Sequence, residues 1–453
     1  MIAKLYEDDS EEYLFPGSRV LQEPSTLDMT MPPIYSKRVL IFSTDNTLDP
    51  AHDRAEGVRV LRHAMQATVE QYPVLANGVS FSSGAWKFFP GQARLLIKEL
   101  PMTYEELKSA NFSSNLLQAD VLTSLPEMAD FENDWDCCRI QANFIKGGLL
   151  LCVSIFHLAM DGTSITQVIQ DLARNSCAKQ APTKKSPAAF DRSPLSVSSS
   201  VPDIAKMPAY VVSSKTVDFA ARIAGALTST MYQFTNESLS RLKSDCSVNL
   251  PAECQWISTQ DAACALVFRQ KVKARFAAGI LKSTDVVQYS FPVEFRNIID
   301  PPLPSDFVGN AVVFTATPFM RVDSLLKPEG LSTTAAAIRQ AVKCVDAAFV
   351  DNAIAVMGEK PDVGSLTYYG ALHGKTTGVN STTYKSFVMP DKWHTAIGNY
   401  ELMRLLHGGL GDGMFIIMPV RESGWEVIVT LADSAMDNFE DEEWTKYAVK
   451  IQV

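Results

Sequence analysis

The sequence has no excess of positive charge and no long apolar run. Its 453 residues carry a formal net charge of −10, whereas nucleic-acid-binding domains carry basic patches, so a nucleic-acid partner is not expected. The longest uncharged apolar run, Gly147–Met160, is shorter than the ~18 residues that a membrane span needs. The acidic N-terminus, Met1–Tyr13, lacks the pattern of a secretory signal. We expect a soluble protein without a membrane span.

Metal-ligand and disulfide patterns are absent as well. The eight cysteines include no C-x-x-C pair and no Cys/His cluster with zinc spacing. Most of them lie in apolar segments, which favours free thiols in the core of a protein from a reducing compartment. The sequence therefore predicts a cytoplasmic protein with no metal site.

Two common catalytic loops are missing. No G-x-S-x-G segment occurs, which argues against a serine nucleophile of the α/β-hydrolase type. Gly370–Thr376 resembles a phosphate-binding loop but is one residue too short, and Gly408–Gly413 separates two apolar runs and favours a turn. Neither a serine ester nor a bound nucleotide phosphate is indicated.

Length and composition predict a globular protein with two domains. Hydrophobic residues make up 46% of the chain and charged residues 20%, and the length exceeds what one simple core holds. The Pro- and Ser-rich segment 182–214 favours an exposed crossover linker between domains 1–181 and 215–453. We expect the two domains to have similar topology.

Strand and helix patterns alternate in both halves, which predicts the α/β class. The predicted elements that matter below are a hairpin of Ile140–Ile145 and Leu149–Ile155, a helix capped by Thr163 or Ser164 that runs to Ala173, helices over Thr259–Arg275 and Ser332–Phe349, and a hairpin of Met414–Val420 and Trp425–Leu431.

The segment from His157 to Gly162, with sequence His-Leu-Ala-Met-Asp-Gly, carries most of the functional information. It comes directly after a dense apolar run, so the histidine leaves the end of a buried strand where the chain must turn. An imidazole with neither metal-ligand spacing nor a serine partner is suited to general-base catalysis near neutral pH. The alternative interpretation is a hydrogen-bonded core histidine.

Further blocks succeed one another along the chain in a recognisable order. They are Ser25-Thr26-Leu27-Asp28, the strand–turn–strand segment Gln141–Gly162 with HxxxDG, the helix Ser258–Arg275 that opens Ser-x-x-Asp-Ala, the segment Val293–Arg296 with Pro301–Pro304 and Gly309-Asn310, and Gly398–Arg404. In this order they resemble the fungal branch of the BAHD-type, CoA-dependent acyltransferases, the group that includes trichothecene 3-O-acetyltransferase, within the chloramphenicol acetyltransferase-like superfamily. HxxxD alone would be a weak signal; the ordered set is strong.

The resemblance implies two chloramphenicol acetyltransferase-like domains, each a mixed sheet flanked by helices, with an active-site channel at their interface. It implies that His157 takes the proton from a hydroxyl as that group attacks the acyl-CoA thioester directly, without an acyl-enzyme. Asp161 would pair with Arg296 and act structurally, and Gly162 would serve the backbone. No cofactor would be bound permanently, because acyl-CoA is the co-substrate and acetyl-CoA the expected donor.

The resemblance also points to residues farther along the chain. Asn310 and Thr395 are candidate oxyanion donors, and His394 is a candidate channel residue, with a surface loop as the alternative. The family's Asp-Phe-Gly near the CoA route is replaced here by Lys392-Trp393-His394. This departure concerns CoA affinity and, through it, activity.

The helix opened by Ser258 supplies the candidates for binding CoA. Ser258, Lys271, Lys273 and Arg275 match the region that helps to hold the CoA phosphates in the family, where positive charge suits a polyanion. The alternative is that the three cations only stabilise the C-terminus of the helix.

The expected function is transfer of an acyl group, with acetyl favoured, from acyl-CoA to a hydroxyl of a small secondary metabolite by a monomeric enzyme. Two alternatives remain open. One is a condensing or offloading enzyme whose acyl donor is a carrier protein, since the phosphopantetheine arms of CoA and carrier proteins are chemically alike. The other is a non-catalytic binding protein on an altered acyltransferase scaffold.

Overall fold

The computed structural model describes residues 10–17, 20, 23–44, 50–178, 182–196, 198, 200–212, 225–359 and 366–451. Within these residues, one large mixed sheet lies in the first half of the chain and another in the second, and helices pack on both. The predicted α/β class, with two sheet-and-helix halves, is confirmed.

The strands and helices are numbered in chain order. The strands are β1 Glu11–Pro16, β2 Tyr35–Ser43, β3 Asn77–Ser82, β4 Ala85–Pro90, β5 Gln92–Thr103, β6 Trp135–Asp136, β7 Cys138–Lys146, β8 Gly148–Phe156, β9 Tyr210–Val212, β10 Leu227–Phe234, β11 Val286–Glu294, β12 Val312–Ala316, β13 Met320–Arg321, β14 Leu366–Tyr368, β15 Gly378–Thr383, β16 Asn399–Arg404, β17 Met414–Ile417, β18 Trp425–Ala432 and β19 Val449–Lys450. The helices are α1 Pro50–Gln71, α2 Tyr104–Ser109, α3 Ala119–Leu122, α4 Gly162–Cys177, α5 Asn236–Ser247, α6 Thr259–Ala277, α7 Val322–Leu325, α8 Gly330–Lys343, α9 Ala347–Gly358, α10 Tyr369–Leu372, α11 Asp433–Met436 and α12 Glu442–Thr445.

The first sheet has the order β1–β5–β7–β8–β2–β16. β8 lies between β7 and β2, is antiparallel to both, and is buried at every residue. A continuous apolar run fits such a strand, because both of its faces are covered. Since β8 is held on both edges and both faces, its C-terminal end is fixed in the first half.

The second sheet has the order β12–β11–β15–β17–β18–β10–β19, with β13 beside β11. Its run β10–β18–β17–β15 matches the run β2–β8–β7–β5 of the first sheet. In each run the first three strands are antiparallel neighbours and the fourth is parallel to the third. The hairpin β17–β18 therefore corresponds to the hairpin β7–β8.

The strand β16 crosses between the halves. It belongs to the sequence range predicted for the second domain, 215–453, but pairs with β2 of the first sheet. At its end, Arg404 donates to Glu426 of β18 over 2.7 Å, and both side chains are buried. A strand and a buried ion pair therefore connect the two sheets, while the predicted domain boundaries stay a prediction.

The described residues of the segment 182–214 are only partly exposed, and residues 197, 199, 213 and 214 lie outside the described ranges. Ala189, Leu195 and Met207 are buried, and the last two pack in a cluster with Phe307. The expectation of exposure is wrong for these residues. The segment is rich in Pro and Ser, but the few apolar side chains between those residues pack into the core.

Two predicted helix boundaries also change. The first helix after β8 is capped by Asp161, whose Oδ1 accepts from Ser164 N over 2.9 Å, and not by Thr163 or Ser164. The predicted helix Ser332–Phe349 is two helices, α8 and α9, because Asp346 caps a new start by accepting from Phe349 N.

Candidate active site

His157 is the first residue after β8, and its backbone continues the pairing of β8 with the strand beside it. His157 N donates to Ile34 O over 2.9 Å, one position beyond the paired residues Tyr35 and Phe156. The chain then turns through buried residues 158–160 into α4. The strand end and the helix start thus fix the histidine from both sides.

The side chain of His157 lines a cavity of about 330 Å³. Ile34, Ser36 and His157 come from the first half, and Asn380, Tyr384 and Ile416 from the second. The cavity therefore lies between the two sheets, where the sequence predicts a channel. A site between domains is a common place for small ligands.

Asn310 braces the turn behind His157. Its Nδ2 donates to His157 O and Leu158 O, each over 3.0 Å, and to Asp28 Oδ1 over 2.7 Å. Asn310 is fully buried, and these contacts occupy its amide hydrogens. This geometry contradicts its role as an oxyanion donor, because no N–H is left to face a substrate.

Asp28 connects this brace to the segment after α4. Asp28 accepts from Asn310 N over 3.1 Å and forms a buried ion pair with Arg192. Arg192 in turn donates to Ala159 O over 2.6 Å. Two regions distant in sequence, 25–28 and 182–196, therefore hold the turn immediately after His157.

Both carboxylate oxygens of Asp161 are engaged by Arg296. Arg296 donates through Nη1 to Oδ2 over 2.8 Å and through Nη2 to Oδ1 over 3.0 Å, and both side chains are buried. Asp161 Oδ2 also accepts from Ala311 N over 2.9 Å. Burial alone would raise the pKa of Asp161, but Arg296 and the backbone N–H donors hold that pKa below its usual value.

The surroundings of His157 favour a neutral imidazole. Burial is the largest effect and lowers the pKa of His157; the charge of Asp161 raises it, and that of Arg38 lowers it. The Nδ1 atom is enclosed by the protein, and hydrogen bonding to the backbone of His157 and to the Asn310 side chain raises the pKa of the ring. Because Nδ1 is closed off, Nε2 is the ring nitrogen that can meet a substrate.

Gly162 allows an aromatic side chain to close over the start of α4. A Cβ at this position would lie 2.6 Å from the ring of Phe387, which lines the cavity. The residue therefore serves close packing of the backbone against the cavity wall.

The predicted CoA-binding residues are occupied by contacts within the protein. Lys271 is fully buried and its Nζ donates to Met414 O and Thr430 O, each over 2.8 Å. Arg275 is buried and paired with Asp412 over 2.9 Å. Neither cation can face a phosphate, so the structure contradicts these two candidates.

The remaining two candidates on this helix also have structural roles. Ser258 caps α6 by accepting from Asp261 N over 3.1 Å. Lys273 pairs with Asp441 over 2.7 Å and with Glu443 over 2.6 Å. None of the four candidates lies among the residues that line the cavity.

His394 and Thr395 lie outside the cavity wall. His394 N donates to Ser176 Oγ over 3.1 Å at the end of α4, and Thr395 is exposed. The neighbouring Trp393 is buried with its ring edge-on to Phe42 at 5.1 Å. In the described part of the chain, the segment that replaces Asp-Phe-Gly therefore packs on the first half, and neither the channel candidate His394 nor the oxyanion candidate Thr395 lines this cavity.

Sequence reasoning missed the contribution of β15 to the cavity. Its residues 380–383, Asn-Ser-Thr-Thr, all line it. The run of four polar residues was a signal in the sequence for a role in the site, because a buried strand is otherwise expected to be apolar.

Sequence reasoning also missed a charged pair in the cavity wall. Lys37 Nζ lies 3.1 Å from Glu127 Oε2, and both residues line the cavity. The glycine-rich turn is part of the same wall: Gly409 has φ of +76°, and a Cβ there would lie 2.7 Å from the Glu127 carboxylate. The turn is thus a component of the site as well as a connection.

Two other kinds of site are absent from the described residues. No group of three or more His, Cys, Asp and Glu side chains is placed there to hold a metal ion. No helix in this part of the chain combines the length and apolar character that crossing a membrane requires.

Comparison with known proteins gives consistent matches along the chain. The sequence model of the Transferase family matches residues 102–445. The enoyl-CoA isomerase/hydratase claC of Penicillium crustosum is 31% identical over 94% of this chain, and the chain spans 50% of that protein's length. The trichothecene 3-O-acetyltransferase TRI101 of Fusarium sporotrichioides is 24% identical, with 92% of this chain and 94% of that protein aligned.

A solved structure has the same fold. TRI101 of F. graminearum, complexed with coenzyme A and deoxynivalenol, superimposes with a TM-score of 0.82 at 18% identity. The alignment covers 96% of this chain and 99% of that one. At this low identity the likeness establishes the two-domain architecture.

Proposed function

This chain belongs to the Transferase family of BAHD-type, acyl-CoA-dependent O-acyltransferases, and we propose that it moves an acetyl group from acetyl-CoA to a hydroxyl of a small metabolite with His157 as general base. One observation carries the proposal. An imidazole whose pKa is lowered by burial is fixed at a strand end and lines a cavity between the two halves.

The chemistry needs one proton acceptor and one proton donor. Nε2 of His157 takes the proton from the acceptor hydroxyl as its oxygen bonds to the thioester carbonyl carbon. The tetrahedral intermediate then breaks its C–S bond, and the imidazolium gives the proton to the leaving thiolate. Asp161 takes no part in proton transfer, because its oxygens are engaged by Arg296 and backbone N–H groups.

The cavity suggests the kind of acceptor. Its walls combine apolar side chains such as Ile34 and Ile416 with a few polar ones, which is typical of sites for small organic molecules. Lys37 and Glu127 neutralise each other. We propose an uncharged, hydroxylated metabolite as the acceptor. Free thiols at all eight cysteines support a reducing, cytoplasmic location, and we propose a monomer.

The test is acyl transfer measured by mass spectrometry of the products. Acetyl-, malonyl- and longer acyl-CoA are each combined with a panel of hydroxylated metabolites, and hydrolysis without acceptor is subtracted. We expect acetyl ester formation with at least one acceptor. Transfer from an acyl carrier protein but not from acyl-CoA would favour a condensing or offloading enzyme. Binding of acceptors without any transfer would instead favour a non-catalytic protein.

A further inference from the structure

Arg38 is a buried cation that lacks a carboxylate partner. It lies on β2, is fully buried, and forms no ion pair with any residue of the described ranges. The other buried arginines near the site do form such pairs: Arg192 with Asp28, and Arg296 with Asp161. A buried charge without a counter-ion is costly, so an explanation for Arg38 is needed.

The contacts of Arg38 place it directly beside the HxxxDG turn. Its Nη2 donates to Gly162 O over 3.1 Å and its Nη1 to Thr166 Oγ1 over 2.9 Å, both in the first turn and a half of α4. The guanidinium carbon lies 5.0 Å from the ring centroids of both Tyr384 and Phe387, which line the cavity. Aromatic faces partly replace the missing anion.

A second buried cation shows why the residue type matters. Lys271 also lacks a carboxylate partner and donates to two backbone carbonyls. Burial lowers the pKa of Lys271 well below its usual value, so this lysine can lose its charge. Burial lowers the pKa of Arg38 only to about 10, so Arg38 stays charged at neutral pH.

The charges around His157 balance only when Arg38 is included. The carboxylates that line the cavity are Glu127, Asp161 and Glu294. Lys37 neutralises Glu127, and Arg296 is shared by Asp161 and Glu294, at 2.8 and 3.0 Å. Asp28 and Arg192 neutralise each other behind the turn, and Tyr384 is an uncharged phenol. One carboxylate is therefore left in excess, and Arg38 supplies the missing positive charge.

We propose that Arg38 is a positioning residue that keeps His157 unprotonated and fixes the start of α4 behind it. The charge of Asp161 favours the protonated ring, which cannot act as a base, and the fixed charge of Arg38 opposes that effect. This role rests on the proposed function of His157 as the base, but it can be measured without any substrate.

The test is an NMR titration of the histidine rings in the full-length protein. The chain has six histidines, so His157 can be assigned from the signal lost in His157→Gln. In Arg38→Met, the midpoint of the His157 titration should move to higher pH by at least ~0.5 pH unit, the scale of one charge at several ångströms in a partly screened site. Arg38→Lys should move it less, because a buried lysine keeps its charge only in part. An unchanged midpoint in folded Arg38→Met would overturn the proposal.

A second variant removes the charge of Arg38 but keeps a polar side chain. Arg38→Gln retains N–H donors beside Gly162 O and Thr166 Oγ1, so folding should tolerate it better than Arg38→Met. The His157 midpoint should again rise, and no rise would overturn the proposal even if Arg38→Met did not fold. Lys271→Met is the control: it removes a buried basic side chain that does not line the cavity and should leave the His157 midpoint unchanged.

Kinetics give the corresponding readout. The acidic limb of the kcat/KM profile should move with the NMR midpoint in both variants. If the midpoints move as expected but no acyl transfer occurs with any acceptor, the proposed function fails while the charge balance stands. If transfer depends on His157 but the midpoints do not move, only the role of Arg38 fails.

Discussion

The hairpins β7–β8 and β17–β18 occupy matching places in the two sheets but end differently. After β8, His157 N donates to Ile34 O over 2.9 Å; after β18, Asp433 N donates to Ala226 O over 3.1 Å. His157 and Asp433 therefore stand at the same position of the same motif. One carries an imidazole into the cavity, and the other carries an exposed carboxylate that accepts from Thr228 Oγ1 over 2.8 Å.

The two strand ends differ in the helix that comes next and in how deeply they are covered. β8 leads into the 16-residue helix α4, whose cap Asp161 is fixed by Arg296 from the other half. β18 leads into the four-residue helix α11 near the surface. Each half of the chain has a strand end that could carry a functional residue. Only the strand end in the first half is covered by the other half of the chain. Chemistry at this position therefore needs both the histidine and the enclosure.

The largest expected effect is a loss of protein stability when the ion pair at the first strand end is broken. Asp161→Asn leaves Arg296 buried without its full counter-ion, and Arg296→Ala leaves Asp161 in the same state, so each should lower the free energy of unfolding by ~3–5 kcal/mol. The double variant should lose less than the sum of the two, since the residues share one interaction. Denaturant unfolding of all four proteins measures this.

The matched cycle in the second half uses Asp433→Asn and Thr228→Val. This pair is solvent-accessible, so each loss should be within ~0.5 kcal/mol and the coupling between the two should be smaller still. Additive losses at Asp161 and Arg296 would show that they are not energetic partners. A collapse of kcat in a fully stable Asp161→Asn protein would instead assign Asp161 a part in orienting the imidazole.

A smaller effect is expected from Gly162→Ala. The new methyl group would meet the Phe387 ring at 2.6 Å, so the ring or α4 must shift, at a cost of ~1–3 kcal/mol in the free energy of unfolding. Gly358→Ala is the control, because no atom lies within 4 Å of its Cβ position. Thermal melting compares the two, and equal melting temperatures would mean that Phe387 does not close on Gly162.

No effect is expected from moving the histidine to the second strand end. Asp433→His, introduced into His157→Ala, should leave acyl transfer at the level of the single variant, because position 433 is exposed and faces no part of the cavity. The assay is product formation from acetyl-CoA with the best acceptor found. Recovery of activity would contradict the view that enclosure by both halves is required.

The sequence predicted the elements that depend on local patterns. The β7–β8 hairpin, the helix after it and the Asp161 partner at position 296 were all expected from apolar periodicity or from the order of family blocks, and the structure places Arg296 against Asp161. Predictions that depended on where a side chain points were less accurate. Lys271 and Arg275 lie on a helix that is buried nearly all round, so a positive charge there did not imply exposure.

The residues of the cavity wall could not be predicted from sequence periodicity, because they come from segments that are far apart in the sequence. Lys37 and Glu127 are far apart in sequence, and Asn380 lies in the other half of the chain. Their meeting depends on how the two sheets face each other. The hydrogen bonds of Asn310 likewise became clear only with the position of Asp28, since an asparagine can either brace the backbone or face a substrate.

The most direct test of the central claim is kcat for acetyl transfer by His157→Ala, measured beside Asp433→Ala. Loss of the base should lower kcat by at least ~10², the low end of what a positioned general base contributes, with little change in the KM of either substrate. Asp433→Ala should keep the wild-type kcat, and both proteins should melt close to the wild-type temperature. Near-normal kcat in a folded His157→Ala protein would contradict the assignment of His157 as the base.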